Sequence, residues 1–312
     1  MKALQQLGIA IASLFLVCAP AWANPALWVV KSPTATVYLF GTIHVLAKGT
    51  HWHYLALDRA LMASDSLYVE ENDSSHVNMR ALVLKYGADP ADREKLESLL
   101  KEYPAYRPYL TNAGRSYSAL KPDDAARLSV AAEHAGLTNG AATLDAMKPG
   151  IAALALTAAS TRRSGYEPRL GADEELEREF KAGGRPIHTF ETAREQIEFF
   201  ADMPLQLQLE LLQSLLHKDT HDAIKTADLV RDWQTGDIDA IDDAVISVMR
   251  MYHPDLYQVL LVNRNRKWAG RIAELLKQHG TVFVAVGVAH LAGPDSVQVQ
   301  LSILGLKPRR VR

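Results

Sequence analysis

The chain has 312 residues, 48% hydrophobic and 22% charged, which is enough to bury the core of one or two domains. Lys and Arg number 34 against 36 Asp and Glu, a net charge of −2 that offers no electrostatic footprint for nucleic acid. The sole cysteine, Cys18, excludes an internal disulfide.

Met1-Lys2, an apolar run from Ile9 to Val17 and Ala21-Trp22-Ala23 have the layout of a secretory signal, with cleavage expected after Ala23. The apolar run is short for a permanent anchor, and no later stretch approaches about 20 uninterrupted apolar residues, so no integral membrane segment is expected after cleavage. Cys18 falls in the segment to be removed, so the mature chain, residues 24–312, would carry no thiol. A periplasmic or secreted location follows from this reading.

The first β-rich run in the argument, Thr36-Val37-Tyr38-Leu39-Phe40, leads into Gly41-Thr42-Ile43-His44. His51 and His53 flank Trp52 just beyond this corner and read as a mobile loop at a pocket mouth. A helical stretch from Tyr54 to Ala63 precedes a second strand, Ser66 to Glu71, which ends in two carboxylates. Strand, helix, strand implies a right-handed βαβ unit that sets Glu70 beside His44. Adjacent strand residues point to opposite faces, so only one of Glu70 and Glu71 should face a common site, and the pattern leaves open which.

Helical periodicity recurs at residues 91–101, 123–134, 151–160, 173–182, 204–216, 223–235 and 256–278, punctuated by Gly and Pro. A short strand, Ile187 to Phe190, interrupts this region and is followed by a helix opening at Glu191-Thr192. Glu191 reads first as a helix-start carboxylate stabilised by the macrodipole, and second as a metal ligand or general base. His217 and His221 have helical zinc spacing, but Lys218 replaces the expected glutamate, so they read as surface residues. Arg264 and Arg266 point in different directions on a helix, and Arg264 is the one expected to grip a carboxylate or a developing oxyanion.

Near the end, Val282-Phe283-Val284-Ala285-Val286 leads into Gly287-Val288-Ala289-His290, repeating the first corner. One Gly-x-x-His is a weak signal. Two of them, each past a buried strand and with a strand-end glutamate between, bring two imidazoles and a carboxylate to the carboxyl edge of a sheet, where open α/β folds bind ligands. His44, Glu70 and His290 are then a donor set for a divalent cation such as Mn, Co or Zn, whose identity the residues do not settle. The closing Lys307-Pro308-Arg309-Arg310-Val311-Arg312 reads as a solvated tail or a charged edge strand. There is no Gly-x-Ser-x-Gly elbow, phosphate loop or dinucleotide fingerprint.

These corners, with Leu27-Trp28-Val29-Val30, Leu67-Tyr68-Val69-Glu70, Met147-Lys148-Pro149, Glu191-Thr192 with Gln196, and Arg264-Asn265-Arg266-Lys267-Trp268, resemble the TraB/PrgY/GumN proteins, related in motif to the animal Tiki metalloproteases. The likeness spans nearly the whole mature chain. It implies an α/β fold with a divalent-metal site at His44, Glu70 and His290. The family often has Asp two positions after the matched glutamate, where this chain has Asn72 and so one anionic group fewer.

The expected architecture is a single α/β domain over 24–312. A central, mainly parallel sheet would carry the two strand-Gly-x-x-His units, and a helical insertion, approximately 91–260, would cap it. The expected activity is a metal-dependent hydrolase, a peptidase acting on a peptide or protein substrate, with Glu71 or Glu191 taking the proton of water and Arg264 facing the oxyanion. Two alternatives stand beside it: a non-catalytic protein binding metal, haem or peptide, and a metal-free acid-base hydrolase acting on esters.

Overall fold

The computed structural model describes residues 24–71, 122–137, 144, 147–216 and 226–311. The expected signal segment, the helix expected at 91–101, Asn72, His217 and His221 lie outside the described residues.

A six-stranded sheet with the order β4-β3-β5-β2-β1-β6 organises the chain. Strands β1 (Leu27–Lys31) and β2 (Ala35–Thr42) form an antiparallel hairpin with Leu27 opposite Phe40, and Ser32 Oγ accepts from Ala35 N at 2.9 Å in its turn. Strand β5 (Gly280–Gly287) runs parallel to β2 over its whole length, with Thr42 opposite Gly287. Strand β3 (Ser66–Val69) is parallel to β5 on the other side, and β4 (Ile187–Thr189) is parallel to β3. Strand β6 is the two-residue Arg309–Arg310 on the antiparallel edge, where its charges discourage further pairing.

The expected βαβ unit therefore needs one correction: β2 and β3 are not neighbours, because β5 lies between them. Its sequence explains its place. Residues 283–288 are all buried, with Phe283 and Ala285 packed into one apolar cluster and Val284 and Val286 into the other, as a strand covered on both faces requires. The two corners are consequently adjacent, and Glu70 arrives from the far side of β5.

Helices cover both faces. Helix α1 (Leu55–Ala63) turns Leu57, Ala60 and Leu61 onto the face that carries Phe40, Leu67 and Phe283. After α2 (Pro122–His134) and α3 (Pro149–Arg163), α4 (Ala172–Ala182) adds Leu176 and Phe180 to that same face. Helix α5 (Ala193–Ala201) starts at Thr192 with a capping box to Glu195, worth about 1 kcal/mol. Helices α6 (Leu205–Leu216) and α7 (Thr226–Thr235) follow. The Trp233 indole of α7 is buried under Phe40 and Trp52 and donates to the Gly41 carbonyl at 2.6 Å.

Residues 238–252, to which the sequence reading assigned no element, are helical: α8 (Ile238–Ile241), a π-turn over Asp242–Ile246 and α9 (Ser247–Tyr252). An N-cap signal was there to be read, since Asp237 caps through Ala240 N at 3.0 Å and Ile241 and Ile246 are buried. The expected 256–278 helix is α10 (Pro254–Tyr257), a second π-turn over Gln258–Val262, and α11 (Asn263–Leu275). Trp268, Ala269 and Ile272 of α11, with Val297 and Leu301 of α12 (Val297–Ile303), cover the second face of the sheet.

Helices α2, α3 and α6 pack a core of their own around Leu128, Ala152, Leu156 and Leu212. The sheet and this helical layer belong to one α/β fold.

Candidate active site at the carboxyl edge of the sheet

Both glycine corners exist for close approach, not for a positive φ; neither Gly41 nor Gly287 has one. A β-carbon on Gly41 would lie 2.9 Å from Val288 Cγ2 and 3.0 Å from Val288 Cα. One on Gly287 would lie 3.0 Å from Glu70 Oε1, 3.3 Å from His44 Nε2 and 3.9 Å from His290 Cδ2. The absent side chain of Gly287 is thus where the three expected ligands come together.

Strand β3 ends at Val69, and Glu70 turns inward behind it. Its Oε1 accepts from Gly287 N at 2.5 Å, and its Oε2 accepts from Arg264 Nη2 at 2.9 Å. Glu71 is half-buried, and Glu70 is the strand-end carboxylate whose two oxygens meet Gly287 N and Arg264. The β3–β4 pairing continues beyond both strands, with Phe190 N on Val69 O at 2.9 Å and Glu191 N on Glu70 O at 2.8 Å. This backbone tie sets Glu191 beside Glu70. Its carboxylate turns to Arg264, not to the start of α5, where Thr192 and Glu195 do the capping; the helix-start reading of Glu191 is corrected accordingly.

Arg264 enters from the second position of α11, two residues past the π-turn. Nε donates to Glu191 Oε1 at 2.9 Å and Nη2 to Glu191 Oε2 at 2.8 Å, a bidentate fork. With Nη2 also on Glu70, and Nη1 on His290 Nε2 at 3.2 Å and the Leu260 carbonyl at 3.4 Å, all five N–H groups are used. Trp268 lies beneath the guanidinium, 4.6 Å from its ring centroid. Arg266 is exposed.

The imidazoles are oriented by groups the sequence reading missed. His44 Nδ1 pairs with Asp173 Oδ2 at 2.7 Å, and Asp173 is in the first turn of α4, which docks on the corner through Ala172 N to Ile43 O at 3.0 Å. His290 lies in the 3-10 turn after β5, Val288–Leu291, and its Nδ1 meets Asn265 Oδ1 at 2.6 Å. Asp173 stood in a helix read only for its periodicity, and Asn265 stood beside Arg264 in a helix from which the sequence reading chose only the arginine. His51 and His53 are exposed beside buried Trp52, and His53 Nδ1 pairs with Asp58 Oδ1 at 2.8 Å, away from the contacts above.

The electrostatics separate the two histidines. Desolvation lowers the pKa of His44, but Asp173, by charge and hydrogen bond, with Glu70 behind it, raises it to about 9. The ring is open to solvent on one side, so the ion pair decides the direction. Burial lowers His290 to about 4 against the pull of Glu70, with the Arg264 charge reinforcing it. Glu70 is held near 2: burial would raise it, but His290, Arg264, His44 and the Gly287 N–H outweigh that. At neutral pH the cluster contains ionised Glu70, charged Arg264 and His44, and neutral His290.

Among the described residues, no group of three or more His, Cys, Asp or Glu side chains that could hold a metal ion is found. In kind, the donors suit one. Both imidazoles fix Nδ1 on an outside acceptor, as ligating histidines do, and Glu70 stands between them. Buried Thr42 Oγ1 and Asp173 Oδ1 at the same edge have no hydrogen-bond partner among the described residues. The Arg264 guanidinium stands where Glu70 and His290 meet.

The fold and this edge define an α/β protein with a cluster of carboxylates, imidazoles and a guanidinium at the carboxyl edge of its sheet. The sequence model of the TraB/PrgY/gumN family matches residues 26–310, and the chain belongs to that family. No curated protein and no solved structure matches it.

Proposed function

We propose that this chain is an exported, metal-dependent hydrolase that cleaves peptide bonds. The observation that supports it is the meeting of His44 Nε2, Glu70 Oε1 and the His290 ring around Gly287. These three residues would hold a divalent cation, Mn, Co or Zn, which when bound lowers the pKa of a water molecule toward neutrality. His44 must shed its proton to serve, so binding is coupled to proton release and weakens below the His44 pKa of about 9.

The remaining roles belong to the chain itself. Glu191, beside Glu70 on the same guanidinium, is the carboxylate we assign to take the proton of water, with Glu71 as its understudy. Arg264 Nη1 makes the two longest of the five guanidinium bonds, and it is the donor free to turn to a developing oxyanion once His290 Nε2 takes another partner. Substrate approaches over His44, whose side chain is 59% exposed, against 5% for His290 and 10% for Glu70. Among the described residues no helix is long and apolar enough to cross a membrane.

One observation favours a second reading. Arg264 already compensates Glu70 and Glu191, and the pKa values of the two histidines are pushed apart, as in a general acid and base pair. His290 Nε2 would then deprotonate water and His44 would protonate the leaving group of an ester. Hydrolysis of peptide and ester libraries by residues 24–312, after exhaustive chelation and again with Mn, Co or Zn restored, separates the two. Peptide cleavage only with metal supports the first, and ester cleavage surviving chelation supports the second. No turnover in any arm leaves the non-catalytic binding protein.

A further inference from the structure

Asn265 is 1% exposed and follows Arg264 on α11, so it points roughly 100° away from it around the helix, toward the loop after β5. Its amide is used at both ends. Oδ1 accepts from His290 Nδ1 at 2.6 Å, and Nδ2 donates to the Asp295 carbonyl at 2.8 Å. With the amino group committed to a carbonyl, the oxygen must face the imidazole, and an oxygen there requires the ring proton on Nδ1. The other ring nitrogen meets Arg264 Nη1 at 3.2 Å, a group that can only donate, so Nε2 must carry the lone pair. Two independent contacts therefore specify one tautomer. Asp295 is itself held, its Oδ2 accepting from Tyr257 Oη at 2.8 Å, and the Trp268 ring lies 4.4 Å from the imidazole.

We propose that Asn265 is the positioning residue that fixes His290 as the Nδ1–H tautomer, with its Nε2 lone pair presented to Arg264. The use of that lone pair rests on the hydrolase reading above; the tautomer itself does not. An amide is needed because one end must accept from the ring while the other donates to the loop. Aspartate would accept from His290 but set a second acceptor oxygen against the Asp295 carbonyl, and leucine would do neither.

Long-range proton–nitrogen correlation spectra of metal-free protein carrying isotope-labelled histidine report which ring nitrogen is bare. The signal of His290 is assigned by its loss in His290→Gln. The expected result is a bare Nε2 and protonated Nδ1 near neutral pH in the parent. In Asn265→Ala the His290 signal moves toward a mixture of tautomers, while His44 keeps its own pattern. Tyr257→Phe, which loosens Asp295 without touching the ring, should leave the tautomer unchanged. A protonated, proton-donating Nε2 in the parent, an unaltered His290 signal in a folded Asn265→Ala, or an equal shift in Tyr257→Phe would each overturn the proposal. If Asn265→Ala does not fold, Asn265→Ser is read in its place, with the same shift expected and an unaltered His290 signal again overturning the proposal. Because the readout needs neither metal nor turnover, a failed tautomer assignment is distinguishable from a failed hydrolase assignment.

Discussion

Arg264 is the residue on which the charge balance of the cluster turns. Its fork holds Glu191 and its remaining donors reach Glu70, His290 and Leu260, all at a site where side-chain exposure is near 10%. Removing one partner of a buried ion pair costs roughly 3–5 kcal/mol, so Arg264→Met should lower the melting temperature sharply. Arg264→Lys keeps the charge but cannot fork two carboxylates, and turnover should fall by about 100-fold with the fold retained; unchanged turnover would remove Arg264 from the mechanism. His44 makes a pH prediction for metal-free protein. Its folded pKa is raised from 6.5 to about 9, so its contribution is complete below 6.5 and is lost as pH climbs through 9. Glu70, lowered from 4.5 to about 2, contributes above 4.5 and loses that as pH falls through 2, while neutral His290 is a cost once pH drops from 6.5 through about 4. Melting temperature against pH should therefore peak near 6.5, and His44→Gln should flatten the alkaline limb; an alkaline slope untouched by that change contradicts the Asp173 pairing. At this scale, His44, His290, Glu70 and Arg264 were all legible from strand ends and side-chain chemistry. Asp173 and Asn265 were not, because each reaches the site from a helix whose docking is set by tertiary packing that local pattern does not encode.

The elements place these residues through close contacts that tolerate little added volume. A methyl group at Gly287 would press on Glu70 Oε1 at 3.0 Å and on His44 Nε2 at 3.3 Å. Gly287→Ala should cost about 1–3 kcal/mol and weaken binding of the proposed cation. A Gly287→Ala protein with parental melting temperature and parental metal affinity would show that the three groups do not meet there. Gly171 does the same service below the first corner, where a β-carbon would collide with the His44 carbonyl, so the start of α4 can approach only with glycine. Alternation along a strand left Glu70 and Glu71 equivalent. Side-chain contacts distinguish Glu70, which accepts from Gly287 N and from Arg264 Nη2. Strand order was equally out of reach: β2, α1 and β3 read as consecutive neighbours, and only the all-buried run of β5 hinted that it would take the middle.

Across the whole molecule, two apolar layers sandwich the sheet, whereas α2, α3 and α6 close a separate core around Leu128, Leu156 and Leu212. Separate cores open separately, so backbone amides of those three helices should exchange with solvent by a lower-energy opening than those of β2 and β5. Hydrogen exchange read by mass spectrometry tests this, and uniform protection across both regions would argue for one cooperative unit. The alternation of strands and helices made the α/β class legible, and the matched corners pointed to the sheet edge where His44, Glu70 and His290 lie. The mixed sheet, with antiparallel β1 and β6 on one side, came from a hairpin whose first strand the sequence reading noted only as part of a likeness.

The most direct test is metal content by plasma mass spectrometry on residues 24–312 after incubation with Mn, Co and Zn and removal of free ions. A His44→Ala/His290→Ala variant of equal helical content serves as the comparison. Near-stoichiometric metal in the parent and none in the variant is the predicted result. Equal metal in both, or none in either, would contradict a cation held by His44, Glu70 and His290.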